Sequence, residues 1–120
     1  MTQFDMDESL ALLRSLVAVR SYPGEEAAAQ RVCAAWLEAN GLAVTYQTTR
    51  NGQPNVLATI ENGPGPALLL NGHMDTVLAA QGWQHDPWQG WRDSDLFYGL
   101  GAADMKSGVV VNMLVARALA

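Results

Sequence analysis

The most restrictive feature of this sequence is a short, wholly apolar run, Ala67-Leu68-Leu69-Leu70, that leads through Asn71 and Gly72 into His73-Met74-Asp75. Four successive apolar residues between loop signals read as a strand covered on both faces. A strand of that kind needs layers above and below it, which points to an α/β domain with helices packed on a sheet. Polar residues just beyond the carboxyl end of such a strand stand where covered sheets tend to bind ligands. The expectation is a largely central, buried strand that ends at His73.

The rest of the chain supplies the elements for those layers. Asp5 followed by Glu8 suggests a capping box. Leu10, Leu13, Leu16 and Val17 then form a helical face, broken at Ser21-Tyr22-Pro23-Gly24. A second helix is expected from Glu25, where Glu25 and Glu26 suit the positive end of a helix dipole. Its buried stripe is expected at Ala28, Val32, Ala35, Trp36 and Ala39, with Asn40-Gly41 as the stop. Val44, Tyr46 and Thr48 alternate as in a half-buried strand. Asn51-Gly52 signals a hairpin, with residues 55–61 as the returning strand. Residues 72–104 are loop-rich and hold Trp83, Trp88 and Trp91, expected to cover the core edge, with the lining of a substrate mouth as the alternative. Residues 107–120 are helical in composition, and Val109, Val110 and Val111 favour burial. This order lays down only part of a covered sheet, and the last helix runs to Ala120 without a stop signal.

Composition narrows the functional classes. The formal net charge of -5, without a Lys/Arg cluster, argues against a nucleic-acid surface and against docking to an acidic membrane. No apolar stretch approaches the ~20 residues of a membrane-spanning helix. The acidic start, Met1 to Glu8, lacks the basic and apolar pattern of a signal peptide. A single cysteine, Cys33, excludes an intrachain disulfide and fits a reducing, cytoplasmic setting. Cys33 lies among alanines and reads as packing.

Two segments carry chemistry. In Gly72-His73-Met74-Asp75-Thr76-Val77, an extended backbone would point His73 and Asp75 to the same side. A neutral imidazole is a common metal ligand, and its second ring nitrogen usually donates to a carboxylate. Alone, His-x-Asp is a weak signal and is more often a hydrogen-bonded structural pair. In Gly99-Leu100-Gly101-Ala102-Ala103-Asp104-Met105-Lys106-Ser107-Gly108, Asp104 falls at or next to a helix start, where an N-cap is its ordinary role. Phosphate cradling by this loop is rejected, because Asp104 stands where a nucleotide loop has its third glycine and the loop follows no first βαβ strand. His85-Asp86 reads as structural.

Taken together, the two segments resemble the amino-terminal signature motifs of the M20 metallopeptidase and deacylase family. That family includes acetylornithine deacetylases, succinyl-diaminopimelate desuccinylases, aminoacylases and carboxypeptidase G-type enzymes. Gly82-Trp83, Asp86-Pro87-Trp88, Leu96-Phe97-Tyr98-Gly99 and Ser21-Tyr22-Pro23-Gly24-Glu25-Glu26 follow the same pattern. The resemblance implies a zinc-dependent exopeptidase-like catalytic domain with a mixed β-sheet covered by helices. Residues 1–120 would be its amino-terminal portion, with the remainder and a dimerisation domain lying outside. It implies two divalent metal ions, zinc foremost and cobalt as the alternative. His73 would bind one ion, Asp104 would bridge both, and Asp75 would steady the histidine as a catalytic residue. The expected substrate is a small N-acyl amino acid or peptide, hydrolysed at an amide, and the whole enzyme would be a homodimer.

The sequence also departs from the family's pattern. Leu100 replaces the usual Arg, as in the acetylornithine deacetylase branch, Trp88 replaces Phe, and Ser107 replaces Gly. No Glu follows Glu61, so the general base and the remaining acidic ligands are absent here. The expectation is a catalytically incomplete piece of a hydrolase. The alternative is a non-enzymatic truncated product or an assembly partner of a larger hydrolase, and a bare metal-binding module is the thinnest reading, since closed zinc sites want four N/S ligands.

Overall fold

The computed structural model describes residues 4–120. The reading of the acidic amino terminus falls partly on residues 1–3, outside the described residues. The chain folds as a small α/β domain with three α-helices and two two-stranded antiparallel sheets among the described residues.

Helix α1, Met6–Val17, starts where expected: Asp5 is extended, and its carboxylate accepts from the Asp7 amide at 2.9 Å. The capping box is not completed. Glu8 instead pairs with both terminal nitrogens of Arg117, 109 residues away. A guanidinium fork holds a carboxylate more strongly than one amide does. The pair holds the Glu8 carboxyl below its usual range, chiefly through the Arg117 hydrogen bonds. Leu12, Leu13, Leu16 and Val17 are buried, and Leu10 is half-buried at the edge.

Helix α2, Ala27–Ala39, carries a correction. Its buried residues are Ala29, Cys33, Ala34 and Leu37, so the inward face is turned by about one residue from the expected stripe. Ala35 and Ala39 are exposed, and Ala28, Val32 and Trp36 are only half-buried. Leucine buries more apolar surface than alanine, and the helix orients to bury Leu37. Trp36 stays at the rim, where the Arg117 guanidinium lies 5.1 Å from its ring centre. Two substitutions test this face. Ala35→Gln is expected to change stability by no more than ~0.5 kcal/mol, whereas Ala34→Gln should cost several times that in a denaturant titration. Equal effects would contradict the observed rotation.

Strands β1, Ala43–Thr48, and β2, Pro54–Thr59, form the expected hairpin, pairing from Ala43 with Thr59 to Thr48 with Pro54. Gly52 takes a positive φ of 78° in the turn, the conformation that glycine adopts without a Cβ penalty. Only Val44 and Val56 of this ribbon pack on the core, and Tyr46 and Thr48 are exposed. Strands β3, Trp91–Asp93, and β4, Leu96–Tyr98, make a second, shorter hairpin.

The largest correction concerns residues 67–70. They do not form a covered strand: no described strand pairs with them, Leu68 is exposed, and Leu69 is 84% exposed. Burial of a central strand comes from neighbouring strands and helices, not from its own composition. Among the described residues those neighbours are missing on both sides.

The core lies between the three helices and the segment after residue 72. Leu16 and Val17 at its centre are fully buried, with Met74, Val109, Val110, Met113 and Leu114 around them. Cys33 packs there as expected, its Sγ 3.6 Å from Met113 Sδ, and burial pushes its thiol up to about 11. Helix α3, Ser107–Leu119, follows a wide turn, Ala102–Lys106, in which Asp104 and Met105 depart from helical dihedrals. No described helix is long and apolar enough to cross a membrane.

Candidate metal centre

The segment carrying His73 lies in no helix or sheet, and burial alternates along it from His73 to Thr76. It is held by Ser21, just beyond α1. The buried Ser21 hydroxyl donates to the Met74 carbonyl at 2.6 Å, and the Thr76 amide donates to the Ser21 carbonyl at 3.0 Å. Met74 and Thr76 therefore point into the core. By the two-residue alternation of extended chain, His73 and Asp75 point the other way, to one side of a cleft.

Asp104 arrives from the opposite wall on the wide turn. Both turn glycines are sterically required. Gly101 has a φ of 74°, and a Cβ there would collide with Thr76 Cγ2. A Cβ at Gly99 would stand 2.6 Å from Val17 Cγ1. The N-cap reading of Asp104 does not hold: α3 begins at Ser107 and has no side-chain cap. Asp104 instead has an extended backbone, φ -129° and ψ 97°, and its side chain is 88% exposed.

The three residues meet. His73 Nδ1 lies 3.1 Å from Asp75 Oδ1 and 3.1 Å from the Asp75 carbonyl oxygen. Both are acceptors, so Nδ1 carries the proton and donates. The other ring nitrogen, Nε2, lies 3.2 Å from Asp104 Oδ1. Two ligand atoms each roughly 2.0–2.2 Å from one zinc ion stand about 3–3.5 Å apart, and the observed separation lies in that range. The tautomer that Asp75 imposes is the one that leaves Nε2 free for a metal. The donor set is nonetheless short. Among the described residues no group of three His, Cys, Asp or Glu side chains is placed to hold a metal.

The cleft has a volume of about 360 Å³ and is bounded by Pro23, Val77, Trp83 and the Gly99–Gly101 loop as well as the three site residues. Trp83 thus lines the mouth rather than covering the core edge, because the loop carrying it passes beside the cleft. Trp88 and Trp91 are half-buried, Trp88 edge-on to Tyr22 and Trp91 between His85 and Tyr98. His85 stacks on Trp91 at 4.1 Å, and Asp86 Oδ1 accepts from the Trp88 amide at 2.9 Å. Both are structural contacts, as expected for that pair. Glu25 pairs with Arg20, and Glu26 accepts from the Gly24 amide.

Lys106 is a residue whose role the sequence reading missed. It is 1% exposed, and its Nζ donates to the carbonyls of Leu16 at 2.8 Å and Val19 at 2.9 Å. Burial pushes its pKa down to about 8. The signal available in the sequence was a lone lysine between Met105 and an apolar helix, on a motif already singled out.

Comparison with known proteins adds to this geometry. Residues 69–120 match the family described as Peptidase family M20/M25/M40. The chain is 35% identical over 105 residues to a succinyl-diaminopimelate desuccinylase of Gluconobacter oxydans (strain 621H), covering 85% of this chain and 27% of that protein. It is 46% identical over 74 residues to an acetylornithine deacetylase of Aliivibrio salmonicida (strain LFI1238), covering 61% of this chain and 19% of that protein. A succinyl-diaminopimelate desuccinylase of Acidiphilium cryptum (strain JF-5) is 34% identical over 112 residues, or 92% of this chain and 30% of that protein. The chain therefore spans less than a third of the length of these relatives.

Proposed function

We propose, from the kinship with the M20 peptidases and deacylases that residues 69–120 carry, that the polypeptide bearing this sequence hydrolyses the amide bond of a small N-acyl amino acid with the help of two divalent ions. In this reading residues 1–120 are the amino-terminal portion of a zinc-dependent exopeptidase-like domain. Its mixed sheet would be completed by strands beside residues 67–70. The observation that carries the proposal is the meeting of two residues from separate segments, His73 Nε2 and Asp104 Oδ1, at 3.2 Å.

His73 and Asp104 would hold the metal, zinc or alternatively cobalt, with Asp104 shared between two ions. Bound there, a divalent ion acidifies water, polarises an amide carbonyl and stabilises the oxyanion. Asp75 keeps the proton on Nδ1 and fixes the ring's orientation. Trp83 and Val77 give the cleft an apolar wall beside these polar groups, the usual make-up of a small-molecule site. The general base is not among these residues.

The names of the relatives favour acetylated or succinylated amino acids as substrates. Leu100, in place of the family's Arg, favours the acetylornithine deacetylase type. A homodimer in the cytoplasm is part of the same proposal. The test is hydrolysis of N-acetyl and N-succinyl amino acids before and after chelation. Activity should disappear with the metal and return with added zinc or cobalt. Hydrolysis undiminished by exhaustive chelation would refute the metal-dependent mechanism.

A further inference from the structure

We propose that the carboxyl end of α1 is a shared anchor that sets the separation of His73 and Asp104, with Ser21 and Lys106 as its two positioning residues. The inference rests on the metal-centre reading above and deepens it. His73 and Asp104 lie on different segments, and no backbone hydrogen bond joins those segments directly among the described residues. Each is tied instead to residues 16–21. On one side Ser21, fully buried, bonds the peptide groups of Met74 and Thr76, which flank Asp75 and follow His73. On the other, Lys106, two residues past Asp104, reaches through the core to the Leu16 and Val19 carbonyls.

The chemistry of Lys106 supports a positional role. A buried ammonium is costly unless its donors are satisfied. Here it meets carbonyls at the negative end of the α1 dipole, a favourable place for a cation. An apolar side chain of similar length would fill the same space without the desolvation cost. What the ammonium adds is direction: two bonds that fix where the turn enters α3. The turn is pinned a second time by the Lys106 amide, which donates to the Gly101 carbonyl at 2.9 Å. Slack in either tie would change the 3.2 Å gap between the two metal-facing atoms, while leaving both ligands in place.

The experiment is titration of the whole protein, stripped of metal, with Co²⁺ or Zn²⁺ alone, following affinity and the visible absorption of bound cobalt. Thermal unfolding of the metal-free protein is recorded alongside. Lys106→Met and Ser21→Ala are each expected to weaken metal affinity by about tenfold or more, as losses of supporting contacts around metal ligands typically do. Both should also alter the cobalt spectrum. Leu37→Ala, a core truncation in α2 remote from both ties, should lower the unfolding temperature but keep the wild-type affinity and spectrum. Wild-type affinity and spectrum in both anchor variants would overturn the proposal, as would the same metal loss in Leu37→Ala. If Lys106→Met fails to fold, Ser21→Ala decides, since it removes one oxygen. Undiminished binding in His73→Ala would instead bring down the metal-centre reading, and the anchor with it. Loss in His73→Ala without loss in Ser21→Ala or Lys106→Met overturns the anchor alone.

Discussion

Under the proposed function, replacing His73 by alanine is expected to reduce kcat/KM of the whole protein for an N-acyl amino acid by about a thousandfold or more. The figure follows from losing a Lewis-acid contribution of several kcal/mol, at about 1.4 kcal/mol per factor of ten. Metal retention after dialysis should fall in parallel, while the fold survives. His73 is 45% exposed at its side chain, so no core cavity is opened. Asp104→Ala should behave alike, since its carboxylate points into the cleft and supports no helix end. Asp75→Asn should be milder, about ten- to a hundredfold, because it perturbs the ligand's tautomer and orientation without removing the ligand. Steady-state kinetics with metal analysis on the three variants gives the order. Full activity in His73→Ala would end the assignment.

Gly101→Ala is expected to be among the most damaging single-methyl additions available in this chain. Two penalties combine. A residue with a Cβ loses about 1–2 kcal/mol in the left-handed conformation that Gly101 adopts. Overpacking against the buried Thr76 adds roughly 1–3 kcal/mol. A total near 3 kcal/mol would be a large fraction of a small domain's stability. The two parts separate experimentally. Thr76→Ser removes the Cγ2 methyl that the new Cβ would strike, leaving Thr76 Cβ at an ordinary 3.4 Å. The double variant should therefore recover the steric share and retain the conformational one. Chemical denaturation of the two single variants and the double variant measures the coupling. If the double variant is no more stable than Gly101→Ala, the contact with Thr76 does not limit the site.

What could be read in advance follows from which forces are local. The α1 cap at Asp5, the stop at Asn40-Gly41 and the Asn51-Gly52 hairpin depend on a few adjacent residues, and each was legible. So was the pairing of His73 with Asp75, because alternation along extended chain is a property of the backbone. The face of α2 was misjudged because alanines outnumber larger residues there, and the helix orients on Leu37 and Cys33 instead. Glu8 was assigned to its own helix because Arg117 lies 109 residues on. Residues 67–70 have the composition of a covered strand, but cover comes from neighbouring elements, and no described strand pairs with them. Lys106 was missed for a related reason: a lysine's burial depends on carbonyls 87 and 90 residues earlier, which no local pattern reveals.

Those long separations have a consequence during synthesis on the ribosome. Helix α1 is made well before the groups that close over its end, Lys106 and then Met113 and Leu114. At roughly 5–20 residues per second, the 90 residues between Leu16 and Lys106 take about 5–20 s to add. For that interval α1 can pack against α2 but lacks the cover that α3 supplies. Slowing translation between residues 20 and 105 lengthens the time during which that face of α1 waits for α3.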